Sequence, residues 1–413
     1  MKARTLRILT LAIGLTGVMP SSVFGADELY HVTPIGALPG AAVPSAGAVA
    51  INERTQMVGT ACCFEQSHEL QAFLWDPIKG MIGLGALRGA GRQVSFGEAL
   101  NNVGHAAGVS HSGNVEAFFW SPETGMIGLG DLPGGVTHSW AYGINDLDQV
   151  VGQSDGAIGT GEAFLWDARN GMFGLGDLPG GNFGSVAYDI NNAGQVCGAA
   201  VSERGIEAFI WDKLNGMRTL GNFPDGFPVE ALAINDLGQV TGIGATARGT
   251  MAFFWDPNEG IEWLGHLPGQ FLSTTGFGLN DLGQVVGGAR RDMSVEAFIW
   301  DAANGIRSLY DLLDVSGSPR PGLDGAAGIN NRGEISAGDG FSAYLLTPFV
   351  LADMNCDDAV NAGDVDAFFL ALVDYERYEV QYPSCHGDWA GDVNQDARFD
   401  AADIDAFFEL LGG

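Results

Sequence analysis

Residues 234–256, INDLGQVTGIGATARGTMAFFWD, decide the fold because the chain repeats this stretch along most of its length. Its end, Ala-Phe-x-Trp, recurs every 44 to 46 residues, with tryptophans at Trp75, Trp120, Trp166, Trp211, Trp255 and Trp300. A seventh, degenerate copy is Ala343-Tyr344-Leu345-Leu346. Self-similarity at a fixed period of this length predicts an architecture built from repeated supersecondary units.

A second marker, an aliphatic residue followed by asparagine, keeps the same step. It occurs seven times, with the asparagines at Asn52, Asn101, Asn145, Asn191, Asn235, Asn280 and Asn330. One unit divides into four short β runs, namely 140–144, 149–153, 162–166 and 172–178. The Asn and Gly residues between the first two runs are typical of a tight hairpin turn. Four antiparallel strands in about 45 residues predict a propeller blade.

The ends of the repeat array predict how it closes. The seventh unit stops at Leu346 without a fourth strand, whereas residues 30–38 resemble a fourth strand that stands before the first unit. We therefore expect a mainly β fold, a seven-bladed β-propeller over residues 26–349 that is closed by an N-terminal strand and leaves no open edge. An open β solenoid is the competing architecture.

The N-terminal residues indicate in which compartment the protein is found. Residues 1–25 have a basic start, an uncharged stretch from Ile8 to Met19 and small residues before a cut after Gly25, as in a secretory signal peptide. A retained anchor is the alternative, but the apolar stretch is shorter than the roughly 20 residues that span a bilayer. We expect no membrane span after signal removal, and a secreted, cell-surface or periplasmic protein.

The formal net charge is −31, and acid is concentrated at the C-terminus. Residues 350–413 hold 15 Asp and Glu against two Arg, a net charge of −13. Such a balance disfavours nucleic acid and anionic membranes as partners, and it favours cations.

The Ala-Phe-x-Trp repeat, with its Ile-Asn and Gly-Gln-Val-x-Gly companions, resembles the bacterial extracellular HAF repeat over residues 30–347. The family's histidine is replaced here by Gln71, Met251 or a glutamate (Glu116, Glu162, Glu207 and Glu296). The resemblance implies an extracellular repeat protein without a defined activity.

Nothing in the propeller sequence predicts catalytic residues. The same glutamate at the same place in four repeats indicates a structural or solvated position, because chemistry needs uniquely placed carboxylates. The seven histidines lack ligand spacing, and no Ser-His-Asp, His-Glu-x-x-His or nucleophile-elbow pattern stands out. The loops after the second and fourth strands of each blade share one face, where any ligand would bind. On that loop face, Glu65, Glu69 and Asp155 are the acids that break the repeat.

Two acidic loops near the C-terminus have the spacing of calcium-binding loops. Loop positions 1, 3, 5, 9 and 12 carry oxygen side chains in both, and position 7 would add a backbone carbonyl. The predicted ligands are Asp353, Asn355, Asp357, Ala359 (carbonyl), Asn361 and Asp364 in the first loop, and Asp392, Asn394, Asp396, Arg398 (carbonyl), Asp400 and Asp403 in the second.

Each loop leads into an amphipathic helix with apolar residues at i, i+3, i+4 and i+7. These are Val365, Phe368, Phe369 and Leu372, then Ile404, Phe407, Phe408 and Leu411. The pair of loop-helix units resembles a dockerin type I module over residues 350–413. The resemblance implies calcium as cofactor and docking onto a cohesin-like or other surface protein. The competing interpretation is an acidic solvated tail that binds no metal.

The module departs from the dockerin pattern in three ways. Position 6, normally glycine, is Asp358 in the first loop and Ala397 in the second. Because positive φ is costly for alanine, the second loop is predicted to bind more weakly. At positions 10 and 11, which cohesin usually contacts, the best-known dockerins have polar pairs, whereas this chain has small residues at 362–363 and 401–402. The third departure is a pair of extra cysteines.

Cysteine usage adds one prediction and leaves one question open. Cys356 and Cys385 are extra to the dockerin pattern, and we predict that they form a disulfide. Cys197 is expected to be a buried small hydrophobe, since sister repeats carry valine at its position. Cys62 and Cys63 pair either with each other or elsewhere.

The sequence therefore favours a noncatalytic secreted or surface protein. Its propeller would present a recognition face, with a glycan or a protein as ligand, and its calcium module would dock to a partner. The alternative is a secreted carbohydrate-active enzyme, a polysaccharide hydrolase or lyase, that carries a dockerin. A third possibility is a propeller that serves only as a structural spacer.

Overall fold

The computed structural model describes residues 29–39, 41–64, 70–89, 93–135, 138–156, 161–181, 184–221, 229–247, 249–269, 273–291, 294–313, 321–357, 360–383, 385–394 and 398–412. The predicted signal peptide, 1–25, lies outside these residues. So do Glu65, Glu69, Asp358, Ala359, Asp396 and Ala397.

The described residues form seven four-stranded antiparallel sheets. The strands are β1 (Leu29–Pro34), β2 (Ala41–Ile51), β3 (Met57–Phe64), β4 (Leu70–Asp76), β5 (Gly80–Gly85), β6 (Val94–Leu100), β7 (Ala106–His111), β8 (Val115–Ser121), β9 (Gly125–Gly128), β10 (Ser139–Ile144), β11 (Val150–Asp155), β12 (Gly161–Asp167), β13 (Gly171–Gly174) and β14 (Ser185–Ile190). They continue as β15 (Val196–Ser202), β16 (Gly205–Asp212), β17 (Gly216–Thr219), β18 (Val229–Ile234), β19 (Val240–Thr246), β20 (Gly249–Asp256), β21 (Gly260–Trp263), β22 (Ser273–Leu279), β23 (Val285–Arg291), β24 (Ser294–Asp301), β25 (Gly305–Ser308), β26 (Gly325–Ile329), β27 (Ile335–Gly338) and β28 (Ala343–Phe349).

Blades one to six each use four consecutive strands, from β2–β5 to β22–β25. Blade seven combines both ends of the propeller, in the order β1-β28-β27-β26. Six residue pairs, from Leu29 with Phe349 to Pro34 with Tyr344, join β1 to β28. The seven-bladed propeller and its closure by the N-terminal strand are therefore confirmed.

The repeated Ala-Phe pair forms the centre of each blade interface. The six phenylalanines of Ala-Phe-x-Trp and the alanines before them are fully buried, at 0% exposure. In three blades the ring lies against the glycine of the second strand, at Gly108, Gly198 and Gly287. At Gly198, for example, an added Cβ would lie 2.0 Å from the carbonyl oxygen of Val186 and 2.7 Å from the ring of Phe209. Only glycine allows the first strand and the phenylalanine to approach this closely.

The fourth strands are shorter than the sequence predicts. In blade three we expected residues 172–178, whereas β13 ends at Gly174. Leu175 still donates its N–H to the carbonyl of Ala163, but Gly176 then adopts a φ of +78°. The chain therefore turns inward there, and Leu175 and Leu178 become buried.

The C-terminal module contains four helices in its described part. They are α1 (Asp364–Val373), α2 (Tyr375–Gln381), α3 (Gly387–Ala390) and α4 (Asp403–Gly412), and a 3-10 turn, Leu309–Leu312, precedes β26 in the propeller. The sequence predicted α1 and α4 but not α2 or α3. Phe368 and Phe407 stack with ring centroids 3.9 Å apart, and both are fully buried.

Phe369 and Phe408 were also expected on the buried face, and this was wrong. Their side chains stay 38% and 45% exposed. In an α-helix, adjacent residues point about 100° apart, so the direct packing of Phe368 on Phe407 turns the following phenylalanine of each helix outward.

Candidate functional sites: the propeller channel and the two acidic loops

Seven asparagines form a closed hydrogen-bonded ring at one end of the propeller axis. Each is the asparagine of the Ile-Asn marker, and each is buried, at 2–4% exposure. The Nδ2 of each donates to the carbonyl of the next, over 2.9–3.1 Å, in the order Asn52, Asn101, Asn145, Asn191, Asn235, Asn280, Asn330 and back to Asn52. The Oδ1 atom of each asparagine accepts N–H groups of its own turn, so the buried amide groups of these asparagines have hydrogen-bond partners.

The residues that follow these asparagines form a second ring. Here the backbone N–H of each residue donates to a side-chain oxygen of the next blade, over 2.7–2.9 Å. Its members are Glu53, Asn102, Asp146, Asn192, Asp236, Asp281 and Asn331. Four of them are acids, so the rim of the channel is negative.

A bulge in the first strand of every blade points a side chain into the channel. The pairing with the second strand shifts by one residue in all seven blades. Bulges commonly re-aim a side chain in this way. The seven bulged residues, Val49, Glu98, Tyr142, Tyr188, Leu232, Phe277 and Ala327, all line one cavity of about 210 Å³.

The bulged residues differ from blade to blade, whereas the residues directly before and after them are alanine or glycine, apart from Asp189. Tyr188 donates its hydroxyl to Glu230 Oε2 over 3.1 Å, and its ring lies 5.7 Å from that of Tyr142. Burial raises the pKa of Tyr142, and the nearby Glu98 carboxylate adds to this. Burial also raises the pKa of Glu98, to about 7. Glu98, Tyr142 and Tyr188 thus line the same side of the cavity, where the charge of each affects the pKa of its neighbour.

Asp189 replaces a small residue of the sister repeats and also lines this cavity. Its two oxygens accept the N–H groups of Ile190 and, in the next blade, Ile234, over 2.8 and 3.0 Å. Burial raises its pKa to about 6, while these two bonds act in the opposite direction. Neither Asp189 nor Glu98 was predicted from the sequence, although Asp189 departs from the alanine or glycine of the sister repeats.

The repeated glutamates hold loops in place. Glu116 Oε1 accepts the N–H of Gly130, and Glu162 Oε1 accepts that of Gly176. Glu296 bonds instead to the hydroxyl of Ser308. Their contacts fit the structural interpretation made from the sequence.

Of the three loop-face acids named from the sequence, only Asp155 lies in the described part of the chain. Its Oδ2 lies 3.1 Å from Nδ1 of His138, and the His138 ring lies 5.9 Å from that of Trp140. Asp155 is therefore partnered by a histidine, and no second acid from the sequence list is described beside it.

The first acidic loop is organised around Asp364, at position 12. Its buried carboxylate accepts the N–H groups of Met354 and Asn355 on Oδ1 and that of Asn361 on Oδ2, over 2.8–3.1 Å. Asp353, at position 1, is also buried, with 5% exposure. Asn355 contacts Asp357 through its Nδ2. The backbone at loop positions 2, 3 and 9 thus wraps around the carboxylate at position 12.

The second loop repeats this arrangement. Asp403 Oδ1 accepts the N–H of Asn394, and its Oδ2 accepts that of Asp400, over 3.0 and 2.9 Å. Asp403 is fully buried and Asp392 is 6% exposed. Arg398 is described, but Asp396 lies outside the described residues, as does Ala359 of the first loop.

These residues fit a hard divalent cation. Each loop buries two carboxylates, at positions 1 and 12, and buried charges are normally paired or bound to metal. The donors are carboxylate and amide oxygens, which Ca²⁺ prefers. Among the described residues, no three His, Cys, Asp or Glu side chains form a preformed cluster.

The cysteines agree with the sequence predictions. Cys356 and Cys385 form a disulfide with their Cα atoms 5.7 Å apart, which confirms that prediction. Cys62 is also disulfide-bonded. Cys197 is a buried free thiol that donates to the carbonyl of Ala231, and burial raises its pKa, so it behaves as a core residue.

No protein-family model matches the chain, and no curated protein does so by sequence. Solved structures match its fold. A streptogramin B lyase is 11% identical, over 78% of this chain and 98% of that chain, with a TM-score of 0.50. Virginiamycin B lyase from Staphylococcus aureus is 8% identical, over 73% and 94%, with a TM-score of 0.48. A lectin from Burkholderia pseudomallei is 10% identical, over 79% and 97%, with a TM-score of 0.41. At these identities the likeness concerns the propeller fold alone.

Proposed function

We propose that this chain is an exported, noncatalytic recognition protein. Its propeller presents ligand-binding surfaces, and its C-terminal module binds two calcium ions and docks the protein to a partner. The observation that carries the proposal is the repetition of one carboxylate arrangement, Asp353 with Asp364 and Asp392 with Asp403, in two loops that each begin a helix.

Calcium would have a structural role in this module. Each loop buries two carboxylates, at positions 1 and 12, and bound Ca²⁺ would offset the repulsion between them. Because the stacked Phe368 and Phe407 follow the two loops by four residues each, ordering either loop stabilises the shared core. Calcium binding and folding of the module are therefore expected to be coupled.

An exposed apolar surface of the module supports docking. Phe369, Phe408 and Val373 are 38%, 45% and 83% exposed, and Phe369 lies 6.2 Å from Phe408. The small residues at 362–363 and 401–402, also exposed, immediately precede the two helices. Exposed apolar groups of this kind mark protein interaction sites. A cohesin-like or other surface protein is the proposed partner.

Export is supported by the cysteines. Disulfides at Cys356–Cys385 and at Cys62 are typical of oxidising compartments outside the cytosol. No helix in the described part of the chain is long and apolar enough to cross a membrane. We place the protein at the cell surface, in the medium or in a periplasm.

Calcium titration of the mature chain tests the metal sites. Calorimetry should give two sites, the second weaker because Ala397 stands at position 6. Asp364→Asn and Asp403→Asn should each remove one site, whereas Asp366→Asn, an exposed neighbour in α1, should keep both. Absence of binding at millimolar calcium, or an equal loss in the Asp366 control, would refute the proposal.

Docking is tested separately with purified cohesin domains of several types and with isolated surface proteins of the source cell. We expect binding that chelation reverses and that Asp364→Asn weakens. Binding that is equal with and without calcium would contradict the role of the loops.

A further inference from the structure

The channel cavity is lined by a repeated position whose residue type changes from blade to blade. All seven bulged side chains face it, and the sequence holds the bulge constant while varying the residue. Structural positions of this propeller do the opposite: the Phe of Ala-Phe-x-Trp and the ring asparagines keep one residue type. The inward position takes charged, aromatic and aliphatic residues, so the fold does not dictate which side chains line this cavity.

The cavity has two unlike walls. Blades two to four contribute Glu98, Tyr142, Tyr188 and Asp189, while the remaining blades contribute apolar residues, including Leu232 and Phe277. Phe277 is 44% exposed even though it belongs to an inner strand, so its ring faces the open channel. Three aromatic rings therefore lie around a space that two carboxylates share.

The charge of the channel has one sign. This cavity and the neighbouring one at the asparagine rings share six lining residues, among them Asp189. Together they are lined by six carboxylates and by no Lys, Arg or His among the described residues. Carboxylates that line a low-dielectric cleft concentrate cations and repel anions.

Glu98 is the carboxylate in this lining that lacks a partner. Asp189 accepts two backbone N–H groups, whereas within the described residues Glu98 has neither a hydrogen bond nor an ion pair. A half-buried carboxylate without a partner is costly for the folded protein. A cationic ligand would supply the missing partner.

We propose that the channel binds a small organic ammonium ion. Glu98 and Asp189 provide the opposite charge, and the rings of Tyr142, Tyr188 and Phe277 provide cation–π contacts. This site goes beyond the proposed function and does not depend on the calcium module.

The size of the cavity fits such a ligand. Its volume of about 210 Å³ has room for at least about seven water molecules at about 30 Å³ each. A tetraalkylammonium head with a short polar tail has a similar number of non-hydrogen atoms. The usual cavity for a drug-sized ligand, about 300–1,000 Å³, is larger.

Calorimetric titration of the full mature chain with choline tests this, with 3,3-dimethylbutan-1-ol as its uncharged isostere. The titration is made in saturating calcium so that the module is loaded. We expect choline to bind at one site and the isostere to bind about tenfold more weakly or not at all. Equal binding of the two, or no choline binding in the millimolar range, would overturn the proposal.

Three variants locate the site. Glu98→Gln should weaken choline binding about tenfold, whereas Glu259→Gln, which removes the same charge from an exposed turn, should not. Tyr142→Leu should also weaken it, and Tyr142→Phe, which keeps the ring, should not. Unfolding temperatures establish that each variant is folded.

Choline binding that Glu98→Gln and Tyr142→Leu leave unchanged would exclude the channel. Choline binding that appears only when calcium is removed would show that the channel takes metal ions instead. Either result overturns the assignment of an ammonium site, and neither bears on the calcium loops of the C-terminal module.

Discussion

The indole of Trp389 stacks on the imidazole of His31, with ring centroids 3.5 Å apart and an interplanar angle of 12°. His31 belongs to β1, the strand that closes the propeller, and Trp389 belongs to α3 of the C-terminal module. His386 stacks on Trp389 over 4.2 Å, and the ring of Phe349, in β28, lies 6.2 Å from that of Trp389. The module thus contacts the propeller at its seam.

Removing this contact should loosen the closing strand. Stacked aromatic pairs contribute about 0.5–1.5 kcal/mol beyond the area they bury, so Trp389→Ala should accelerate amide exchange of β1 by about tenfold. Strand β18, in blade five and two blades away from the seam, serves as the internal control. Trp389→Phe, which retains an aromatic ring, should restore most of the protection. Equal acceleration in β1 and β18 would mean a global effect instead.

The asparagine ring should be sensitive to the loss of any one member. Asn235 Nδ2 donates to the carbonyl of Asn280 and to Gln239 Oε1, and its Oδ1 accepts two N–H groups of its own turn. Asn235→Ala leaves several buried groups unsatisfied, so the free energy of unfolding should fall by about 2–4 kcal/mol. The neighbouring Leu237→Ala, at a position 60% exposed, should change it by less than about 0.5 kcal/mol. Urea unfolding measures the free energy of unfolding of both variants. A similar decrease in the two would show that the asparagine ring does not stabilise the fold.

Alanine substitutions at two glycines test the close packing around the buried phenylalanines, one as the test and the other as its control. Gly198→Ala places a Cβ 2.0 Å from the carbonyl oxygen of Val186 and against the Phe209 ring. We expect a loss of about 1–3 kcal/mol or more in stability. At Gly325, an added Cβ meets nothing within 4 Å, so Gly325→Ala should be neutral or stabilise by up to about 1 kcal/mol. A reversal of this order in denaturant unfolding would contradict the packing described.

Glu98 should make stability fall as pH rises towards neutrality. Burial raises its pKa from 4.5 to about 7, so the folded state holds a proton that the unfolded state releases. Its protonated form stabilises the fold below about pH 4.5, and this advantage is lost as pH rises through 7. Tyr142 and Asp189 face it in the same cavity. Glu98→Gln should raise stability at pH 8 by at most about 3 kcal/mol, and by little at pH 4.5. The measurement is the free energy of unfolding of Glu98→Gln and of the wild type between pH 4.5 and pH 8. A difference between them that does not change with pH would contradict this role of Glu98.

The sequence predicted the parts of this protein that repeat. Trp75 to Trp300, the seven Ile-Asn markers and the strand before the first repeat were enough for blade number and closure, because each reflects a local pattern. The Cys356–Cys385 disulfide and the helices after each acidic loop were also predicted.

What could not be predicted depends on contacts between distant residues. His31 meets Trp389 only after both ends of the chain reach blade seven. The bulges that turn Glu98 and Tyr142 into the channel arise from backbone register, which the residue pattern does not reveal. The bonds from each asparagine to the next blade require the ring to be closed, so Asn235 alone indicates only a turn.

The composite seventh blade also governs the order of assembly. Strand β1 is synthesised first, yet its partner β28 lies more than 300 residues further along the chain. Until that partner arrives, β1 is a short ribbon of six residues that ends in proline, a residue that discourages pairing with foreign strands. Blade seven therefore stays incomplete during synthesis until the last repeat has emerged, and chains truncated before β28 cannot complete it.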